Sequence, residues 1–390
     1  VEQKITTTDS LDGDEFGWAV DVSADGNTMA VGSGGGHFNG SAYEYLNAVY
    51  VYTRSSHVWS LQQKVQPTSL TGVNYLGWTA ALSADGNTLA TSDSESTVWI
   101  FTRSGSSWTQ QQLITPGDFV TGDAFGYAVA LSGDGNTAIV GAPDKRVSGS
   151  YDGAVYIYVR SGGVWSLQQE IAGPTTGNSF GWSVALSGDG NTAIVGSGAT
   201  APAYIYHRSA GVWTEQAHVD STPDTMDGEF SLCVDISSDG NTAAVAMPDL
   251  NTGYVYVFTR SGSTWTLQQR IDGTPSYSGA FGLSLAISAD GTALAIADGY
   301  ELPSYATGGG AVQVYKVSGS VWSLEDIINR SYTGTLVEYF TGGHGDTTNV
   351  AISSDATLIA YGVRQNADPP DEFTHVDDEQ GAVYTFVPIP

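Results

Sequence analysis

One phrase recurs seven times along the 390 residues, and it points to a ring of like units rather than to unrelated domains. Its fullest copy starts at Phe125 and reads FGYAVALSGDGNTAIVGAP, then a loop, then GAVYIYVRSGGVWSLQQEI. The aspartate of its S-x-D-G-type turn falls at Asp25, Asp85, Asp134, Asp189, Asp239, Asp290 and Asp355, at spacings of 49 to 65 residues. Length alone would suggest two or three domains. A repeat of this size overrides that prior, because each unit buries its apolar face only against its neighbours.

Each copy reads as four short strands, A to D. Strand A, Gly126 to Ser132, alternates as a half-buried strand does. Asp-Gly then suits a tight hairpin. Strand B is Thr137 to Gly141, strand C is Ala154 to Arg160, and strand D runs from Trp165 to Ile171. No segment sustains a helical period. The expected fold is all-β: one domain over residues 1–390, a seven-bladed β-propeller of four-stranded blades.

The ends supply the closure. The seventh copy has strands A (Asn349 to Ser353), B (Thr357 to Tyr361) and C (Ala382 to Val387), and no strand D follows. At the other end, Val1-Glu2-Gln3-Lys4-Ile5 matches the strand D segment Leu61-Gln62-Gln63-Lys64-Val65. Residues 1–6 are therefore expected to complete the last blade, hiding two sheet edges.

Phe125-Gly126 followed by Gly141-Ala142-Pro143 resembles the FG-GAP repeat family. The phrase returns as Phe16-Gly17 with Val31-Gly32-Ser33, as Phe180-Gly181 with Val195-Gly196-Ser197, and as Phe281-Gly282. Leu76-Gly77, Phe230-Ser231 and Asp346-Thr347 are degraded copies. The resemblance implies a seven-bladed propeller like the head of integrin α subunits, serving in adhesion and extracellular recognition. Many members carry a calcium loop, and calcium needs six to eight oxygens. Turns such as Ser132-Gly133-Asp134-Gly135-Asn136-Thr137 hold one carboxylate, so their Asp reads as a turn former bonding its own backbone.

Composition narrows the function. Thirteen Lys plus Arg face 41 Asp plus Glu, a net charge of −28. This disfavours nucleic acid and anionic lipid as partners. No stretch is long and apolar enough for membrane insertion. Cys233 is the single cysteine, so no intrachain disulfide forms; aligned with Ala19 and Ala128, it is expected to be a buried, inert thiol. Val1 in place of an initiator methionine reads as a processed or trimmed N-terminus. The sequons at Asn39 and Asn329 are glycosylation candidates and lean to an extracellular, cell-surface or virion-surface setting.

The periodic residues read as structural. Trp59, Trp108, Trp165, Trp213, Trp265 and Trp322 share one place at the start of strand D, which suits blade packing. Arg54, Arg103, Arg160, Arg208 and Arg260, with Lys316, share the end of strand C beside the turn aspartates. Asp21 and Asp235 interrupt strand A where other copies have Ala. A paired-carboxylate site is conceivable there, but blades one and five lie on different sides of the ring. No nucleophile elbow, phosphate loop or HExxH motif occurs, so no catalytic residue, enzyme activity or cofactor is assigned.

The A–B and C–D hairpins share one face, and the variable B–C loops and D–A connectors share the other. The long segments are Gly32 to Asn47, Asp298 to Gly310, Arg330 to Asn349 and Val363 to Gly381, which the closed ring gathers on blades six, seven and one. Their candidate ligand residues are Tyr43, Glu44, Tyr45, Tyr300, Glu301, Tyr305, Asp371, Phe373, Asp377 and Asp378, a mixture suited to a glycan or a protein. His37, His344, His375 and Asp346 are an outside candidate for a divalent ion, against the simpler reading of solvated loop residues. The leading expectation is a recognition or adhesion module. A structural, self-assembling subunit of a filament, coat or virion is the alternative, followed by a polysaccharide hydrolase or lyase.

Overall fold

A computed structural model describes the chain except for residues 1–2, 8, 10–13, 39–42, 46, 70–74, 94–96, 148, 175–176, 199–200, 222–229, 249–252, 274–280, 299–310, 330–349, 364–381 and 388–390; at 36–38, 43–45, 329 and 363 only the backbone is described. Seven four-stranded antiparallel sheets and one two-stranded ribbon make up the described residues, and no helix occurs among them. Strand A of each blade packs against strand A of the next, and blade seven packs on blade one, so the A strands form the inner wall of a ring. Strand D is outermost in every blade.

Blade three has strands Val129–Leu131, Thr137–Ala142, Ala154–Ser161 and Val164–Ala172. Strand A is shorter than expected, its regular pairing with strand B running only from Val129 to Leu131. Where the strand includes the Phe-Gly pair, as in Phe16–Val22, the register slips between Phe16 and Val20. In blade seven strand B runs Ile359–Val363, later than the expected Thr357 start. Thr357 instead donates from both N and Oγ1 to Asp355 Oδ1, at 3.0 and 2.7 Å, and so belongs to the turn. Strands Val350–Ile352 and Ala382–Phe386 match the expectation within a residue or two.

Bare backbone explains the second glycine of the repeat. A Cβ on Gly32 would lie 2.1 Å from the carbonyl oxygen of Gly77 in the next blade. The same clash arises between Gly141 and Gly181 at 1.9 Å, between Gly196 and Ser231 at 2.2 Å, and between Gly362 and Gly17 at 1.9 Å. The blades meet backbone to backbone at these points, and any side chain would hold them apart.

The outer strands bolt each blade to its successor. Gln63 Oε1 accepts from the backbone N of Trp108 at 2.8 Å, and Gln63 Nε2 donates to the Trp108 carbonyl at 3.0 Å. Gln62 Oε1 accepts from the indole Nε1 of the same Trp108 at 2.9 Å. Two consecutive residues of an ordinary strand would point to opposite faces. A bulge solves this: Val51 pairs with Gln63 and Tyr52 with Leu61, leaving Gln62 as the extra residue. The clasp recurs from Gln111 and Gln112 to Trp165, from Gln168 and Gln169 to Trp213, and from Gln268 and Gln269 to Trp322. At Trp265 only Gln216 contributes, because Ala217 stands in the second place.

The N-terminal strand closes the ring as the sequence implies. Gln3–Ile5 pairs antiparallel with strand C of blade seven, Gln3 opposite Thr385 and Ile5 opposite Val383. Gln3 Oε1 accepts from Trp59 N at 3.2 Å, repeating the clasp at the junction with blade one. Ile5 is buried among Phe16, Tyr50, Tyr52 and Val383.

A backbone belt runs round the tight-turn face. Ala24 N donates to Ala84 O, Ala84 N to Gly133 O, Gly133 N to Gly188 O, Gly188 N to Ser238 O, Ser238 N to Ala289 O, and Ser354 N to Ala24 O, all at 2.8 to 3.0 Å.

Candidate functional site

The tight-turn face is chemically self-contained. In blade three Ser132 Oγ and Asn136 N both donate to Asp134 Oδ1, at 2.6 and 2.9 Å, and Asn136 Nδ2 donates to Asp134 Oδ2 at 2.9 Å. Burial alone would raise this carboxyl, but these donors outweigh it and hold Asp134 below its ordinary range. The same pattern surrounds Asp25, Asp85, Asp189 and Asp239. Arg103, Arg160, Arg208 and Arg260 donate from Nε to the turn Asn of their own blades at 2.9 to 3.1 Å. Each guanidinium lies over the strand D Trp of its blade, 5.3 to 5.6 Å from the ring centre. Both rings of repeated residues therefore hold the blades together.

The inner wall carries two carboxylates among alanines. Asp21 and Asp235 occupy the place of Ala81, Ala130, Ala185, Ala286 and Ala351. Each bridges its blade to the next. Asp21 accepts from Val22 N at 2.8 Å and from Leu82 N at 2.7 Å; Asp235 accepts from Ile236 N and Ile287 N, both at 2.8 Å. Burial pushes Asp21 up to about 7 and Asp235 up to about 6, against the pull of these donors, and Asp235 adds a smaller repulsion at Asp21. Each carboxylate thus accepts two backbone N–H bonds, one from its own blade and one from the next. Cys233 is partly rather than fully buried, a correction to the sequence reading; it opens the short strand A Cys233–Ile236.

On the loop face, where strand A begins, an aromatic arc crosses four blades. Trp18, Trp78, Tyr127 and Trp182 each stand two residues after the Phe or Leu of their repeat. The intervening glycines, at φ +93° to +99°, turn these side chains toward the mouth of the ring. Trp18 and Trp78 have ring centres 4.6 Å apart, Trp78 and Tyr127 5.8 Å, and Tyr127 and Trp182 4.7 Å, all tilted. Trp78 Nε1 fixes the row by donating to the Tyr127 carbonyl at 3.2 Å. Gly34 and Gly198 give Trp18 and Trp182 flat backbone to rest on. Trp18 is buried, and the other three are half-buried. Blades five and six continue the position with Leu232 and Leu283, so the arc is one-sided. Comparing this register across copies would have revealed it; attention to the more regular strand D tryptophans masked it.

Of the ligand residues expected from sequence, Tyr300, Glu301, Tyr305, Asp371, Phe373, Asp377 and Asp378 lie outside the described residues, as do His344, His375, Asp346 and Asn39. The blade-one segment is not a simple loop. Gly36–Phe38 pairs with Tyr43–Tyr45 as a two-stranded ribbon, with His37 opposite Glu44. Alternating Tyr-Glu-Tyr favours a strand there. Asn329 ends strand D of blade six, paired with Ala311. Among the described residues no three metal-capable side chains gather.

The junction of blades seven and one leaves a cavity of about 500 Å³ between the closing strand and blade one. Beside it Asp9 accepts from Lys64 Nζ at 2.7 Å and from Tyr50 OH at 2.8 Å, which holds its carboxyl down at about 2 despite burial.

Comparison with known proteins agrees with this architecture. The FG-GAP repeat model matches residues 1–52 and 108–158. Each match spans the outer strand of one blade and the three inner strands of the next, the same offset that the N-terminal closure uses. No curated protein matches the sequence. Similar solved structures include the Myceliophteria thermophila Cps50 (Swd1) beta-propeller domain, at TM-score 0.62 and 10% identity over 99% of both chains. The RRP9 WD40 repeats are similar at TM-score 0.61 and 10% identity, over 99% of this chain and 97% of that one. At such identity they speak for the fold alone. With its ring of seven four-stranded blades, the chain is a seven-bladed β-propeller that carries FG-GAP repeats at residues 1–52 and 108–158.

Proposed function

We propose that this propeller is a non-enzymatic recognition or adhesion module of an extracellular, cell-surface or virion-surface assembly, which binds a protein or glycan partner through its loop face. The observation that carries this reading is the half-buried row of Trp78, Tyr127 and Trp182 on that face. Rigid aromatic rings presented on a stiff scaffold stack on sugar rings and anchor protein interfaces. On the opposite face the turn carboxylates and guanidinium groups are engaged in internal bonds, which leaves fewer polar groups for a partner. The long segments that the sequence assigns to blades six, seven and one would add specificity.

A glycan array and a pull-down from native surroundings test the reading, using Trp78→Ala with Trp182→Ala and, separately, a chain shortened between Asn366 and Gln380. Binding by the wild type and at least a tenfold loss in either variant, with unchanged circular dichroism, is the expected result. Binding that survives both changes would place the working surface elsewhere.

A second reading, a self-assembling structural subunit, draws on Val58, Val164, Val212 and Val321, which lie 54 to 62% exposed at the C–D turns. The bulge in the outer strands of blades one to six argues against edge-to-edge pairing, so such assembly would run through side chains.

A further inference from the structure

The lining of the seam cavity repeats that of the junction between blades two and three at most positions and differs in its charged groups, with Lys4 and Lys64 where that junction has Leu113 and Glu170. Blade three shows what fills the equivalent place. There Lys145, from the B–C loop, touches Asp118 and the Tyr156 hydroxyl and pairs with Glu170 at 3.1 Å. Asp9, Tyr50 and Lys64 stand at the positions of Asp118, Tyr156 and Glu170, but blade one has Gly36 where blade three has Lys145. Lys64 pairs with Asp9 directly, and among the described residues no second lysine joins that pair, beside which the cavity opens.

Three groups then face the opening with capacity to spare. Tyr52 is only 4% exposed, lines the cavity, and its hydroxyl makes no hydrogen bond among the described residues. Lys4 lines it from the closing strand and has no ion pair among the described residues. Thr6 lines it from the same strand. Leu61, 51% exposed, supplies an apolar wall. Lys4 and Lys64 are two of only four lysines in a chain of net charge −28, and among the described lining residues they face Asp9 alone, so a small anion meets a locally more favourable charge here.

We infer that the seam cavity binds a small polyhydroxylated carboxylate of monosaccharide size, a uronate. Its carboxylate pairs with Lys4, its hydroxyls reach Tyr52 and Thr6, and its C–H face lies on Leu61. The volume falls in the range of small-ligand sites. The ligand would touch both the closing strand and blade one, so it binds only the closed ring and stabilises closure by mass action. This site is distinct from the loop-face surface, and either can fail without the other.

The test is calorimetry and thermal unfolding of the full chain with galacturonate and glucuronate, and with glucose and acetate as controls. Saturable uronate binding is expected, raising the unfolding midpoint by about 3 °C near saturation. Lys4→Gln should abolish the preference for uronate over glucose, and Tyr52→Phe should weaken uronate about tenfold. Lys4 is exposed on its strand, so Lys4→Gln should leave the ligand-free midpoint unchanged. Equal shifts from acetate, unchanged affinity in both variants, or no saturable binding of either uronate would overturn the assignment.

Discussion

Replacing Asp21 by alanine isolates the energetics of a carboxylate held between two blades. Five of the seven blades already have alanine at this place, so the change leaves backbone packing that the ring tolerates elsewhere. Burial raises Asp21 from 3.8 to about 7. The sign follows from linkage. Above pH 7 the native state holds an ionised, half-buried carboxylate that the unfolded chain would solvate freely. Between pH 7 and 3.8 the native state keeps a proton that the unfolded chain lacks, so stability rises as pH falls. From pH 8 to pH 5 the full linkage would amount to about 3 kcal/mol at roughly 1.4 kcal/mol per unit. Water in the ring screens part of this, which leaves about 2 kcal/mol, or a midpoint change of about 2–3 °C for a chain of this size. Urea unfolding at pH 8, 6.5 and 5 measures it. The wild type should gain stability toward pH 5, and Asp21→Ala should flatten that gain. The turn aspartates do not interfere, because their depressed carboxyls lose their contribution only as pH falls below 3.8. Parallel pH profiles of wild type and variant would refute the reasoning.

Two further outcomes follow from the ring. Deleting residues 1–6 removes the pairing with blade seven, the Gln3 bond to Trp59 and the buried Ile5, so the melting temperature should fall sharply and light scattering should report aggregation. Calorimetry with calcium on chelator-treated protein should give no heat at the tight turns, since both oxygens of Asp134 and Asp189 already accept from their own turns; several sites lost together in Asp134→Ala or Asp189→Ala would contradict this.

The blade plan and the ring closure were legible because they rest on repetition. Gln3-Lys4-Ile5 copies Gln63-Lys64-Val65, and a missing outer strand leaves one place for it. Repetition also marked the strand D tryptophans as structural: Trp108 and its counterparts recur because Gln62 and Gln63 and their counterparts hold them. The bulge that makes the double clasp possible was not legible, because it is a register slip and not a residue type. The aromatic arc was present in the register at Trp18, Trp78, Tyr127 and Trp182, but Leu232 and Leu283 break its period. The seam cavity was beyond reach, since it depends on how the closing strand seats against Tyr52 and Leu61 of blade one. The long segments of blades six, seven and one have no repeated partner, so neither periodicity nor alignment assigns them a shape.

The glycine contacts between blades set the curvature of the whole molecule. Gly32, Gly141, Gly196 and Gly362 each bring their blade against the carbonyl of the next, head to tail. Head-to-tail contacts close only when the turn per unit divides the circle, here about 51° for seven units. A methyl group at one glycine would open one wedge by a small angle, and that error would fall entirely on the single place where the ring is not covalently continuous, the pairing of Gln3–Ile5 with Val383–Thr385. Glycine-to-alanine changes far from the seam should therefore register first as fraying of the N-terminal strand, with the seam acting as the molecule's gauge of angular strain.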